Sequence, residues 1–442
     1  MQRVEVLELL AELVAVDTVN DPLHGKRVGL EVGEEVARIL GRAWGRKPMI
    51  IESNGVPTLI YTIGQGAPVT LFLAHFDTVP IGPGWSRPPL ELTLESGRAY
   101  GRGAVDDKAN VAAITMALRD LEPEQGTIIA AFTGDEEIGG SNGAGYLRSW
   151  LQDNGLWPDN LVNGDGSLSM VINRRRNAFN VVVRVKSRVE TVVGCTSTVE
   201  FRARIPRKET MHAAYFTPGV DTHPLIDAAE LVRVRGLLAS RLEGDWVKSN
   251  VIPGRVVASL VEAGCEGGSV EVDLGLTRLL EALIPLTRPV VETLHYSDYG
   301  VTATPNIYRF ADGWHEVVID VRAMAESRGV LEAYTRIVEE ALGDVGAEVE
   351  VRGGGGYLYT PASSRLVSLA LAVNRGLGLP DRPVEAGGAS DSRYFSPLGV
   401  KAIDYGPRGG NVHGPDEYVE VEALEKAVRF YREMARRLHG LA

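Results

Sequence analysis

Apolar positions change their period along this chain, and the changes divide it into three stretches. Residues 3–16 place Val4, Leu7, Leu10 and Val14 at helical spacing, and a second helix is expected over roughly 27–42. Apolar segments at 59–63 and 69–74, separated by Gly64-Gln65-Gly66, predict strands joined by a turn. A short strand pair is expected around 90–100, then a helix whose apolar face includes Val111, Ile114 and Leu118. Residues 127–132 form a continuous apolar strand, and another helix begins near Gly143. Strands and helices in alternation predict an α/β domain, a mainly parallel sheet with helices on both faces.

The texture changes after about residue 176. Segments 178–186 and 192–205 alternate apolar and polar residues, as half-exposed antiparallel strands do. Helical patterns at about 224–240 and 330–342, with a strand at 315–322, predict an α+β insert. Gly353-Gly354-Gly355-Gly356 reads as a hinge or a loose loop at its far end. From 364 onward helix and strand alternate again, and the last helix repeats Leu424, Ala427, Val428, Tyr431 and Ala435 on one side. The predicted organisation is one α/β domain, 1–176 plus 354–442, interrupted by a domain at 177–353. No internal repeat and no low-complexity tail is evident.

Composition narrows the classes. A chain of 442 residues exceeds one ordinary core, and 44% hydrophobic with 24% charged residues is globular. A formal net charge of −12 argues against nucleic acid or an anionic membrane surface as the main partner. No apolar stretch is long enough for a membrane span. Glu5, Glu8 and Glu12 interrupt the N-terminal apolar residues, which reads as an amphipathic helix and not a signal peptide. A cytoplasmic protein is expected. Cys195 and Cys265 make neither a disulfide framework nor a thiolate metal site.

Candidate chemistry gathers where apolar strands end. The run 71–74 ends in His75, Asp77 follows two residues later, and Pro80 stops the strand. Residues i and i+2 of a strand share a face, so the Asp77 carboxylate can approach the His75 ring. A carboxylate on the second nitrogen of a metal-bound imidazole fixes its tautomer. Four further donors recur at such positions: Asp106, Glu137, Asp165 and His413. Each also has a structural reading. Asp106 suits a helix N-cap, Glu136-Glu137 a solvated loop, Gly164-Asp165-Gly166 a hairpin turn, and His413 a loop without partners. Histidine and carboxylate donors without cysteine suit Zn²⁺, Mn²⁺ or Co²⁺. Five donors can hold two ions about 3.5–4 Å apart if one carboxylate bridges them.

Four ordered motifs carry a resemblance: 75–80 (His-Phe-Asp-Thr-Val-Pro), 101–108 (Gly-Arg-Gly-Ala-Val-Asp-Asp-Lys), Asp135-Glu136-Glu137, and 387–393 (Gly-Gly-Ala-Ser-Asp-Ser-Arg). Together they resemble the M20 metallopeptidases, which include acetylornithine deacetylase, succinyl-diaminopimelate desuccinylase, aminoacylase, glutamate carboxypeptidase and carnosinase-like dipeptidases. The resemblance spans nearly the whole chain and is weakest between about 230 and 300.

The resemblance implies a zinc-exopeptidase-like catalytic domain holding two divalent ions, zinc first, with cobalt or manganese as alternatives. By it, Asp106 bridges the ions, His75 and Asp165 complete one site, and Glu137 and His413 the other. Glu136 becomes the general base, and Asp77 orients His75. The insert becomes a lid and dimerisation domain, so a homodimer is expected. His212 is the lid histidine that reaches the oxyanion, although Met211 stands where the family usually has glycine; His223 and His295 are the alternatives. Arg322 grips a substrate carboxylate, and Asn306, Gly388 and Ser390 are further substrate-holding candidates. The substrate is a small peptide or an N-acyl amino acid. Asp165 tilts the reading toward dipeptidases, because the deacylases usually carry glutamate at this ligand position.

Overall fold

A computed structural model describes residues 2–205, 211, 213–293 and 300–441. The chain divides into two compact units, Met1–Arg175 with Tyr357–Ala442, and Arg176–Gly356.

The first unit is built on a nine-stranded mixed sheet. Its centre is parallel: Gly126–Thr133, Val69–His75, Asn160–Asn163 and Lys401–Asp404 lie side by side in that order. Antiparallel strands close both flanks, Val56–Gln65 and Met49–Ser53 on one and Val171–Arg175 with Leu358–Tyr359 on the other. Every residue of Val69–His75 and of Gly126–Thr133 is buried. That explains their unbroken apolar character, since a central strand covered on both faces has no solvated side to mark with polar residues. Truncating Leu73 to alanine there would cost about 2–5 kcal/mol.

The helix Lys108–Leu118 is buried along its whole length and contains four alanines, the best helix former and small enough for close packing. The last helix, Val421–His439, buries Leu424, Ala427, Val428, Tyr431 and Ala435 and ends at Gly440 in the left-handed region (φ 65°). A small four-stranded sheet carries Thr93–Glu95, Arg98–Tyr100, Gly409–Gly410 and Tyr418–Glu420. It brings the segment before Asp106 beside the segment that contains His413.

The second unit holds two four-stranded antiparallel sheets, and their topology corrects the expectation of no internal repeat. In the outer sheet the strands in chain order are Asn177–Lys186, Thr302–Ala311, Trp314–Ala323 and Ala347–Gly353, arranged second-third-first-fourth. The inner sheet has Val189–Arg202, Leu238–Gly244, Arg255–Ala263 and Gly268–Asp273, also arranged second-third-first-fourth. A helix follows the first strand's segment in each: Leu274–Leu286 before Thr302–Ala311, and Pro224–Arg235 before Leu238–Gly244. The outer copy adds Ser327–Leu342 between its third and fourth strands, giving the split β-α-β arrangement. One copy is nested inside the other, so the repeat is interrupted in sequence.

Two more expectations change. The helix expected over 224–240 stops at Arg235, where Gly236 takes a left-handed cap (φ 61°) and releases the chain into a strand. Cys195 and Cys265 are joined by a disulfide with Cα atoms 5.9 Å apart. It ties the long strand Val189–Arg202 to the turn before Gly268–Asp273. Two lone cysteines 70 residues apart carry no pairing signal in sequence; a shared sheet supplies it.

Candidate metal centre

Three of the central parallel strands end at one edge, and each delivers part of the cluster. Val69–His75 ends in His75, Gly126–Thr133 leads into Glu136 and Glu137, and Asn160–Asn163 leads into Asp165. The carboxyl edge of parallel strands is where α/β sheets place their sites. Asp106 comes from the loop after Arg98–Tyr100, and His413 from the loop after Gly409–Gly410.

Asp77 ties two of these strand ends together. Its fully buried carboxylate accepts the backbone N–H of Glu136 at 3.1 Å and of Glu137 at 3.2 Å. Asn20 donates to the same carboxylate at 2.8 Å and to the carbonyl of Gly134 at 2.9 Å. The Nδ1 of His75 lies 3.1 Å from the Asp77 carbonyl and 3.3 Å from its Oδ1, so that nitrogen is held on the Asp77 side. The Nε2 of His75 faces Asp106 Oδ1 at 3.2 Å.

The other oxygen of Asp106 is 3.0 Å from His413 Nε2, which is also 3.2 Å from Glu137 Oε2. Donor atoms of Asp106, Glu137 and His413 all lie within 4.8 Å of one another, a grouping that can hold a metal ion. His75 joins it through Asp106. Asp165 stands apart from this group: Arg175 reaches its carboxylate at 3.7 Å and also donates to its carbonyl. The flanking glycines do not mark a hairpin turn, the alternative reading of 164–166. A Cβ on Gly166 would lie 2.5 Å from the Tyr405 backbone, and one on Gly164 2.6 Å from Asn110, so close packing excludes side chains at both. Asp106 is not the N-cap either; Asp107 occupies that position.

Too many buried carboxylates converge here for their own cations. Burial and the Asp106 charge push Glu137 up to about 7. Burial also raises Glu136, against the pull of His75 and Arg393, and holds Asp165 well above the carboxylate range. Burial opposes ionisation of Asp106 too, but hydrogen bonds from His413 and His75 outweigh it and hold its carboxyl far below the usual range. Glu137 Oε1 is buried without a hydrogen-bond partner. A buried acceptor left unpaired is costly. Hard oxygen donors, two imidazoles and an orphaned carboxylate oxygen fit divalent cations.

Other candidates stand as follows. Gly388 accepts a hydrogen bond from Arg175 at 3.0 Å, and Ser390 is buried with its hydroxyl unpartnered. In the second unit, Arg322 is buried in a forked pair with Asp320, both contacts at 2.8 Å. Asn306 is buried there too, donating to the Ser249 carbonyl at 2.6 Å and facing His223 Nε2 at 3.0 Å. His212 and His295 lie outside the described residues. Sequence reasoning passed over Asn20, Arg175 and Arg393. Arg393 stood in a quoted motif without a role, whereas Asn20 and Arg175 show no local signal, because their partners are distant in sequence.

The model of peptidase family M20/M25/M40 matches residues 71–437. A succinyl-diaminopimelate desuccinylase from Herminiimonas arsenicoxydans is 24% identical over 393 residues, covering 86% of this chain and 87% of the relative. Among solved structures, an aminoacylhistidine dipeptidase from Vibrio alginolyticus superposes with a TM-score of 0.72 at 13% identity, over 99% of this chain and 96% of that one. A dinuclear metal-binding M20 peptidase from Bacillus subtilis gives a TM-score of 0.53 at 13% identity, over 99% of both chains. No helix among the described residues is long and apolar enough to cross a membrane. With a family match across most of its length and a fold shared with M20 peptidases, this chain belongs to peptidase family M20/M25/M40 and is a hydrolase.

Proposed function

We propose that this protein is a two-metal amide hydrolase acting on a dipeptide or short peptide with a free carboxylate. The observation that carries the reading is the hydrogen-bonded series His75–Asp106–His413–Glu137 beside Glu136. His75 and Asp165 would hold one ion, Glu137 and His413 the other, and Asp106 would serve both. Bound divalent ions would supply an acidified water and polarisation of the scissile carbonyl.

The chain's own residues do the rest. Glu136 takes the proton of the attacking water and delivers it to the leaving amine nitrogen. Its burial raises the carboxyl, which makes it a better base than an exposed glutamate and a competent acid in the second step. Asp77 holds Nδ1 of His75, leaving Nε2 as the ligand atom, and through the Glu136 and Glu137 amides it sets base and ligand in one frame. Arg393, whose charge already acts on Glu136, is the cation positioned for a substrate carboxylate. Arg322 and Asn306 spend polar atoms on Asp320, Ser249 and His223 within the second unit, and Arg393 likewise donates Nη2 to the Gly139 carbonyl at 2.7 Å, so it is the action of its charge on Glu136 that supports Arg393. We assign the second unit the role of lid.

Asp165, the large insert with two sheets, and the fold overlap with a dipeptidase along nearly the whole chain support a peptidase. A deacylase is the second reading, favoured by the desuccinylase relatives. Hydrolysis of a dipeptide panel and an N-acetyl and N-succinyl amino-acid panel, with added Zn²⁺, Mn²⁺ or Co²⁺, separates them. Cleavage of dipeptides is expected. Turnover of acyl amino acids alone would replace the peptidase reading, and turnover of neither would remove the hydrolytic assignment of this site.

A further inference from the structure

Glu417 is buried to 1% exposure, belongs to neither the five donors nor the base, and is nonetheless the most heavily hydrogen-bonded carboxylate near them. Its Oε1 accepts the backbone N–H groups of Val105 at 3.0 Å and Asp106 at 3.1 Å. Its Oε2 accepts the N–H of Gly103 at 3.0 Å and Nη1 of Arg102 at 2.6 Å. Its carbonyl accepts from Gly101 N at 2.9 Å, so main chain and side chain both stitch the 413–417 loop to the 101–106 loop. Arg102 is equally buried and spends its other end on the carbonyls of Pro80 and Ile81 at 3.2 Å, just past the strand that presents His75.

These contacts have one geometric result. Three N–H groups of the loop that carries Asp106 converge on a carboxylate only four residues beyond His413. No helix or strand hydrogen bonds satisfy those N–H groups, so the loop's shape depends on what fills its hollow. A carboxylate does so because it accepts from several donors at once and carries the charge that Arg102 requires.

We infer that Glu417 is a positioning residue for the metal centre: it sets Asp106 and His413 at ligand distance by serving as a shared hydrogen-bond template for both loops. The inference rests on the two-metal reading and concerns the affinity of the site for its ions. Residues that orient ligands typically change metal affinity about 10–100-fold when altered.

The test uses the full chain stripped of metal, titrated with Zn²⁺ by calorimetry and with Co²⁺ by visible absorption, with circular dichroism and thermal melting of the metal-free forms alongside. Glu417→Gln keeps the size but presents an amide N–H to donors. It also leaves Arg102 buried without a counter-charge, so the charge-neutral pair Glu417→Gln with Arg102→Gln is measured too. Both variants are expected to bind each ion about 10–100-fold more weakly, with an altered Co²⁺ spectrum, while the neutral pair retains the native circular dichroism. Binding of the neutral pair within twofold of the native chain would overturn the inference. A neutral pair that does not fold would also overturn it, making Glu417 a folding brace. A native chain that binds neither ion would instead remove the two-metal reading, an outcome distinct from equal binding by native chain and variant.

Discussion

His413 Nε2 lies 3.0 Å from Asp106 Oδ2, and His413 reaches that position from a left-handed backbone conformation (φ 63°). Non-glycine residues rarely adopt it, so the surrounding loop must hold it there. Burial pulls the His413 ring down, but hydrogen bonds to Asp106 and Glu137 outweigh it and raise it to about 11. Without an ion, this imidazole is therefore protonated at neutral pH and stands between two carboxylates.

An ion that takes His413 Nε2 must displace that proton. Metal binding near pH 7.5 should release at least one proton, and apparent affinity should rise about tenfold per pH unit for each proton displaced. Calorimetric titrations in two buffers of different ionisation enthalpy measure the release. Equal heats in both would contradict it.

Glu136→Gln keeps the backbone N–H that Asp77 accepts and removes only the base. Turnover should fall by about 10²–10⁴-fold, with the metal content of the purified protein unchanged. Loss of metal together with activity would show that Glu136 is a ligand. Retention of most of kcat would show that another group moves the proton.

Gly166→Ala puts a methyl 2.5 Å from the Tyr405 backbone, which cannot swing aside as a flexible side chain would. Overpacking of this kind costs about 1–3 kcal/mol. The strain falls next to Asp165, so urea melts and metal stoichiometry should both report it. An alanine variant with native stability would mean that the strand edge is looser than its geometry.

His223 provides a pH test in the second unit. Its Nδ1 accepts from Leu225 N, its Nε2–H donates to Asn306 Oδ1, and burial pushes the ring down to about 4. The folded state thus prefers the neutral ring while the unfolded chain binds a proton near 6.5. The unfolded state binds more protons between those values, so stability contributed by the neutral ring is complete above pH 6.5. It is lost progressively as pH falls toward 4. The loss is on the order of 3 kcal/mol. In urea unfolding at a series of pH values, His223→Gln should flatten this part of the profile; parallel curves for native and variant would refute the assignment.

Much of the first unit was legible because its signals are local. Fully apolar strands ending in His75 and before Glu136 announce buried parallel strands, and donors at their ends announce a site. Of the five donors picked from such positions, the structure links His75, Asp106, Glu137 and His413 by hydrogen bonds, whereas Asp165 faces Arg175. What stayed hidden depends on partners far along the chain. Asn20 and Arg175 look like ordinary polar residues until Asp77 and Asp404 come beside them. Glu417 reads as a surface glutamate in an acidic loop. Asp320 neutralises Arg322 from its own strand, but the 320–322 pattern reads equally well as a free guanidinium. The nested repeat was invisible because its two copies share strand order and not sequence, and because one is split by the other.

That nesting has a consequence for how the chain can change. The inner copy leaves and re-enters where Ser187 Oγ donates to the Asp273 carboxylate and Leu274 N to the Arg188 carbonyl. The first unit likewise parts after Arg175 and resumes at Tyr357, and Arg175 pairs with Leu358 across neighbouring strands. At both levels the host already holds the two ends of its guest together, so the entropy of closing the loop scarcely depends on the guest's length. The two copies nonetheless share one apolar core: Val256, Ala258 and Leu260 of the inner sheet lie in the same cluster as Val181, Val183 and Ile319 of the outer one, and buried His223 meets Asn306 between them. A module put in place of the inner copy can therefore be spliced in between Ser187 and Leu274 without straining the host's ends, but it must also bring apolar residues to cover the outer sheet.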